Sequence, residues 1–322
     1  MRKRATIVGG AGLIGSHVAA KLLGLDYKVT IIDIRDIAQS SPLAKLNATA
    51  ARHFKHIRHN IVDPIEIKAH EIYNLAASTP LSNHHQTPIE ELKREAMGGI
   101  NILEQARKHS AKVLYGSSSD IYLPMRHLET SSREEQRIIR CEAKQIGEAL
   151  HNAYAKQWGV DIRIARIFAT YCAAQSTLDN RVVMKMIMQA LHNQDITIYG
   201  SGEQVRTLCS APEMADGLIA LMASEVVEPP LTLDMGADEQ ITIRELAEMI
   251  IELTNSKSRI THLQPRAAEP YAKTPKTAMA EEQLNWRAKR TIADGVAEMI
   301  DEVRATLNAE KIAQSSWAEI NL

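Results

Sequence analysis

Cysteine is scarce in this chain of 322 residues. Cys141, Cys172 and Cys209 are an odd number at wide spacings with no CxxC pair, which argues against a disulfide framework and fits reduced thiols in a cytoplasm. Net charge is nearly absent as well. Thirty-eight basic residues against 39 acidic ones leave a formal charge of -1, so nothing pulls the chain toward nucleic acid or an anionic membrane. No run of eighteen apolar residues occurs, which removes a membrane span. Internal repeats and low-complexity tracts are missing too. The opening "MRKR" before "ATIVGGAGLIG" has the outline of a secretory signal, but that stretch carries four glycines and continues into a helical pattern, so it reads as structure. These absences leave a cytoplasmic globular protein with small partners.

At 45% hydrophobic and 24% charged, the chain is long enough to bury one large or two modest cores. "ATIVGG" reads as a buried strand, "GLIGSHVAAKLLGL" as a helix and "KVTIIDI" as a second strand. Strand-like runs follow at "HIRHNIV", "EIYNLAAS", "KVLYGSSS" and "DIRIARIF", with helical stretches near 88–109 and 132–158. The alternation predicts an α/β fold, a Rossmann-like doubly wound parallel sheet. Beyond about 170 come helices near 180–193, 211–223, 242–254 and 292–306, a strand "DITIYG" and a proline-punctuated loop "QPRAAEPYAKTPK". The expected division is a Rossmann domain over 1–170 plus about 204–235. A smaller, interleaved substrate domain takes 171–203 and 236–322. The tail "KIAQSSWAEINL" receives no assignment.

Gly9, Gly12 and Gly15 lie between the first strand and first helix, where missing side chains permit a tight turn and let a pyrophosphate approach the helix N-terminus. Asp33 ends the second strand, the context that turns a glycine pattern into a dinucleotide site. Its carboxylate suits the adenosine ribose hydroxyls and repels a 2′-phosphate, favouring NAD. Arg35 close by keeps NADP as the alternative.

The glycine fingerprint, "NLAAS" after the fourth strand, "GSSSDIY" after the fifth and a lysine on the next helix together resemble the extended short-chain dehydrogenase/reductases, the NAD-dependent epimerase/dehydratase family. Within that family the likeness is to UDP-glucuronic acid decarboxylases. It is carried by "HIRHNIVDP", "DIRIARIFATY", "NRVVMKMIMQAL", "ITIYGSGEQVRT" and "ITIRELAEMIIELT", over roughly residues 4 to 305. The resemblance implies a bound NAD that oxidises a nucleotide sugar at C4 and is regenerated after the keto sugar decarboxylates or rearranges. It adds Leu13, Ile14, Asn60, Ile61, Leu75, Ala76 and Ala77 to the cofactor site. Ser118, Ser119 and Asp120 fall where the family places a hydroxyl pair and a carboxylate, and Lys144 where its lysine holds the nicotinamide ribose. Arg206, Arg181 and Tyr199 match positions around the diphosphate and nucleotide. The helices at 88–109 and 132–158 correspond to a four-helix homodimer interface.

The departures cluster on the chemistry. The family's base is a tyrosine four residues before the lysine, with its pKa lowered by that lysine. Arg140 stands there, and a guanidinium cannot take a proton near neutral pH. Glu95 and Ala169 replace asparagines, "YCAA" replaces "YGP", and Lys273 replaces an arginine beside Glu269 and Pro270. Two readings remain open. Arg140 could bind an anionic substrate group while Asp120, Glu95 or a histidine moves the proton. Alternatively the protein is a non-catalytic NAD-binding sensor or the inactive partner of an enzyme.

Three other features carry less. His53, His56 and His59 lie on a strand-like segment where residues three apart face opposite ways, so no metal is expected. His84 and His85 fall in a loop that approaches the sugar in the family, and Met184, Met186 and Met188 suit an adaptable core.

Overall fold

The structure is a computed structural model that describes residues 2–46, 48–77, 88–122, 132–173, 181–225, 228–265 and 272–320, with backbone alone at 132–137, 272–273 and 309–320. The first half of the chain runs β1 (Arg4–Val8), α1 (Leu13–Gly24), β2 (Lys28–Asp33), a single turn α2 (Ala48–Ala51), β3 (Phe54–Arg58) and β4 (Glu71–Asn74). It continues through α3 (Pro88–Lys93), a π-helical turn over Arg94–Gly98, α4 (Gly99–His109), β5 (Lys112–Ser118), α5 (Ser132–Trp158) and β6 (Ile162–Ile167). Then come β7 (Thr170–Tyr171), α6 (Val182–Leu191), β8 (Ile196–Tyr199), β9 (Val205–Thr207), β10 (Cys209–Ser210) and α7 (Ala211–Ala223). The chain closes with β11 (Leu231–Met235), β12 (Gln240–Thr242), α8 (Ile243–Thr254), β13 (Ile260–Leu263), β14 (Ala272–Lys273), α9 (Ala278–Leu284) and α10 (Ile292–Ile320).

Seven strands form one sheet in the order β11-β6-β5-β4-β1-β2-β3, parallel throughout. This is the expected doubly wound α/β fold. Val8 pairs with Ile32 on one side and Asn74 on the other, so the order reverses at β1 and a crevice opens beyond the carboxyl ends of β1, β2, β4 and β5. The inner strands β1 and β4 run almost wholly buried because both faces are covered, while the edge strand β3 is partly exposed. Val18, Leu22, Leu218 and Leu221 from α1 and α7 cover one face, and Ile102, Leu103, Ala106 and Tyr154 from α4 and α5 the other. A third cluster gathers Met184, Met186, Ile187, Ile198, Leu246, Ile250 and Val296 from α6, β8, α8 and α10, and Met188 packs against it.

Local chemistry explains where elements stop. The strand expected over 56–62 ends at Arg58, because the Asn60 side chain accepts the Val62 amide at 3.2 Å and turns the chain. The helix expected over 88–109 is interrupted by the π turn, and α10 runs on to Ile320 through the unassigned tail. His56 is within β3 while His53 lies before it, and His59 beyond it faces the Asp63 carbonyl at 3.2 Å. Among the described residues no three metal-binding side chains converge, and no helix is long and apolar enough to cross a membrane. His84, His85, Glu269 and Pro270 lie outside the described residues.

Candidate active site

The glycine turn is built for close approach. Gly9 has φ +79°, and a Cβ there would stand 2.7 Å from the Leu75 carbonyl carbon and 2.8 Å from the Ala76 Cα. Leu75 and Ala76, just after β4, therefore lie against the turn. A Cβ on Gly15 would fall 2.4 Å from the Gly9 oxygen, so helix and turn touch only because both are bare. Gly12 caps α1 without any side-chain bond, which leaves the first amides, at Leu13 and Ile14, facing the crevice mouth where an anion is favoured. Asp33 is drawn into the same turn, accepting the Ala11 amide at 3.0 Å. Ile61 is buried against Gly98, where a Cβ would meet it at 2.8 Å, while Asn60 forms the turn beyond β3. The glycine turn, Leu75, Ala76 and Asp33 thus lie together, and their bare backbone and buried carboxylate fit a dinucleotide, while Asn60 and Ile61 lie beyond β3.

Ser118, Ser119 and Asp120 follow one another at the carboxyl end of β5, while Arg140 and Lys144 come from α5 and Arg206 from β9. Ser118 Oγ accepts the Asp120 amide at 3.1 Å, which tightens the 3-10 turn Ser119–Tyr122 at the strand's carboxyl end. Ser119 is buried. Lys144 reaches across from α5 and donates to the Gly116 carbonyl at 2.9 Å.

What lies under Lys144 was not foreseen. Glu95, set in the π turn and 3% exposed, brings Oε1 within 2.8 Å of the Lys144 ammonium, a charge contact outside hydrogen-bond alignment. Its Oε2 accepts the Tyr115 hydroxyl at 2.7 Å. Burial and this carboxylate push the Tyr115 phenol well above its ordinary range. Gly147 makes room, because a Cβ there would lie 2.0 Å from the Tyr115 oxygen and 3.1 Å from Glu95. His151 stacks on Tyr115 at a centroid distance of 4.2 Å and donates from Nδ1 to the Gly147 carbonyl, 2.7 Å away. It is fully buried, and desolvation lowers its pKa to about 4, so it is neutral.

One helical turn earlier the pattern repeats. Arg140 Nε faces Glu91 Oε1 at 3.6 Å, and Arg94 meets the same carboxylate oxygen at 3.6 Å. Arg140 and Lys144 are four apart on α5, and Glu91 and Glu95 are four apart on the facing segment. The result is two rungs of opposite charge between the two helices. The spacing was present in the sequence, but pairing it required knowing that α3 and α5 face each other.

On the other side of Lys144, Ser117 donates to Glu148 at 2.6 Å, and Arg166 grips both oxygens of Glu148 at 3.0 and 2.8 Å. Arg166 also donates to the Tyr122 hydroxyl at 2.8 Å, which in turn donates to Asp234 at 2.6 Å. This network ties the ends of β5, β6 and β11 to α5, and sequence reasoning missed it.

The predicted substrate residues sit on other elements. Arg181 precedes α6 as its N-cap, Tyr199 ends β8 with Lys185 5.7 Å from its ring centroid, and Arg206 is in β9. In strand register Arg206 pairs with Lys273 of β14, so two expected anion-binding positions are neighbours. Ala169 lies between β6 and β7, and its carbonyl accepts the Cys209 amide at 3.0 Å.

The NAD dependent epimerase/dehydratase family matches residues 5–236. The chain belongs to this family. UDP-glucuronic acid decarboxylase 1 of Arabidopsis thaliana is 31% identical over 94% of this chain and 70% of its own length. The enzyme of the same name from Danio rerio is 32% identical over 93% and 72%. Among solved structures, the UDP-glucuronic acid 4-epimerase of Bacillus cereus, in complex with UDP-glucuronic acid and NAD, superposes with a TM-score of 0.79. It covers 94% of this chain and 99% of that one at 21% identity, a likeness of fold. NAD is the family's cofactor, and the glycine turn and Asp33 are the residues that would hold it.

Proposed function

We propose that the protein is a cytoplasmic NAD-dependent enzyme that modifies a nucleotide sugar carrying an anionic group, by a route that does not use a tyrosine base. The observation that carries the reading is Arg140 at the tyrosine position, one turn from a Lys144 fixed at the end of β5. The glycine turn and Asp33 would hold NAD, which would supply reversible hydride acceptance at a sugar carbon. Lys144 orients the ribose end of the crevice, and Arg140, 32% exposed, offers a cation to a substrate carboxylate or phosphate. Glu95 is 3% exposed and held from two sides, so a proton leaving the sugar hydroxyl goes to Asp120, on the turn after β5. Arg206 and Lys273 serve the diphosphate. The relatives support the substrate class, since those named above act on UDP-glucuronic acid. Three buried, unbridged cysteines support the compartment.

A second reading has its own observation. Glu95 answers the charge of Lys144, which removes the electrostatic help that a lysine gives to a neighbouring base, and this favours a protein that binds NAD without turnover. A single-turnover incubation of NAD-loaded protein with UDP-glucuronate and other nucleotide sugars separates the two. NADH absorbance with a product lighter by carbon dioxide, or isomerised, supports the enzyme. Tight NAD binding with no reduction across the set of sugars supports the sensor.

A further inference from the structure

The end of β2 carries a cation as well as the acid. Arg35 donates its backbone amide to Asp33 Oδ1 at 3.0 Å and its Nε to the same oxygen at 3.4 Å. Asp33 Oδ2 accepts the Ala11 amide at 3.0 Å, so three N–H groups converge on a carboxylate whose side chain is only 5% exposed. The Arg35 side chain remains 40% exposed and extends over the glycine turn. A Cβ on Gly12 would lie 3.3 Å from one of its terminal nitrogens. A guanidinium therefore lies beside both the acid and Gly12 of the turn that would receive the pyrophosphate.

If Asp33 holds the adenosine ribose hydroxyls, the ribose 2′ position falls beside that guanidinium. A second arginine borders the place. Arg58, at the end of β3, donates Nε to the Ile34 carbonyl at 3.2 Å and meets Asp36 at 3.4 Å. Asp33 and Asp36 are thus matched by Arg35 and Arg58, and the rim is charge-neutral where an acidic one would turn a phosphate away.

We propose that Arg35 is a specificity residue that admits a 2′-phosphate, so that the protein binds NADP as well as NAD. A guanidinium released from Asp33 presents a planar fork suited to two phosphate oxygens, and Asp33 keeps its backbone amides when it lets go. The inference rests on the cofactor reading of the family and concerns its adenosine end alone.

Calorimetric titration of the purified full chain with NAD and NADP tests it without any substrate. NADP is expected within about thirtyfold of NAD, roughly 2 kcal/mol. Arg35→Gln is expected to weaken NADP about tenfold or more while changing NAD by less than about threefold, with Arg35→Lys in between. Added salt should weaken NADP more than NAD. A wild-type preference for NAD beyond about thirtyfold overturns the proposal, as does an Arg35→Gln variant that loses both dinucleotides equally. If the wild type binds neither dinucleotide, the cofactor reading itself fails, a result distinct from NAD binding alone.

Discussion

Lys144 and Glu95 show how little a residue's identity says without its partner. A lysine alone on α5 reads as a cofactor ligand; with a carboxylate at 2.8 Å, and side chains 5% and 3% exposed, it is half of a buried ion pair. Truncating one member of such a pair leaves the other uncompensated and costs about 3–5 kcal/mol, whereas replacing both with apolar groups is near neutral. Lys144→Met should therefore lower stability to urea by several kcal/mol, and Lys144→Met with Glu95→Leu should recover a good part of the loss. Equal destabilisation by the double variant means the pair contributes little. His151 gives a second test. Unfolded, it titrates near 6.5; folded, its pKa is about 4, so between these values the unfolded state binds the extra proton. Stability from this group is complete above 6.5 and is lost as pH falls toward 4, by roughly 3 kcal/mol. His151→Phe, which keeps the stack on Tyr115, should flatten that loss when unfolding is measured at pH 7 and near 4.5.

At the scale of elements, the strand-turn-helix of the cofactor half was legible in the sequence because glycine spacing and a terminal acid act locally. Gly9, Gly12, Gly15 and Asp33 needed no knowledge of distant contacts. The catalytic half was legible only as departures. Arg140 and Glu95 belong to one arrangement because α3 brings Glu91, and the π turn after it brings Glu95, against α5. Magnitudes separate the rungs. The Arg140–Glu91 contact is long, at 3.6 Å with Arg140 32% exposed, and Arg94 meets the same Glu91 oxygen, so exchanging the arginine leaves that carboxylate paired and costs less than breaking the Lys144–Glu95 pair. This makes a substitution informative. In Arg140→Tyr the new phenol faces a lysine whose charge Glu95 offsets, and its absorbance titration should stay near the ordinary tyrosine value. Adding Glu95→Asn frees the ammonium and should lower that titration by about one unit or more. Decarboxylation of UDP-glucuronate, if it returns, is expected in the double variant. Identical titrations in the two backgrounds mean that Glu95 does not control Lys144.

For the whole molecule, the sheet order and both face clusters follow from strand and helix periodicity, while the assembly depends on surfaces that periodicity labels only as amphipathic. Ile89 (63% exposed), Met97 (47%), Ile100 (41%), Ile146 (38%) and Trp158 (45%) all lie on the run from α3 to α4 and on α5. Large apolar side chains left exposed on these helices suit an interface, and we propose that two copies pair through them. The same segment carries Glu91, Glu95, Arg140 and Lys144 on its inner side, so pairing would brace the two rungs from behind. Light scattering should give twice the chain mass for the wild type. Met97→Glu with Ile100→Glu should give the single mass with an unchanged helical spectrum, because both side chains are exposed and removing them opens no cavity. NAD affinity should survive in that monomer, since the glycine turn and Asp33 lie on β1, α1 and β2. If the Arg140 rung needs the partner's support, turnover and not cofactor binding should fall when the dimer is broken. A wild type that is monomeric at all concentrations would leave those five side chains to a different partner and the rungs to α3 and α5 alone.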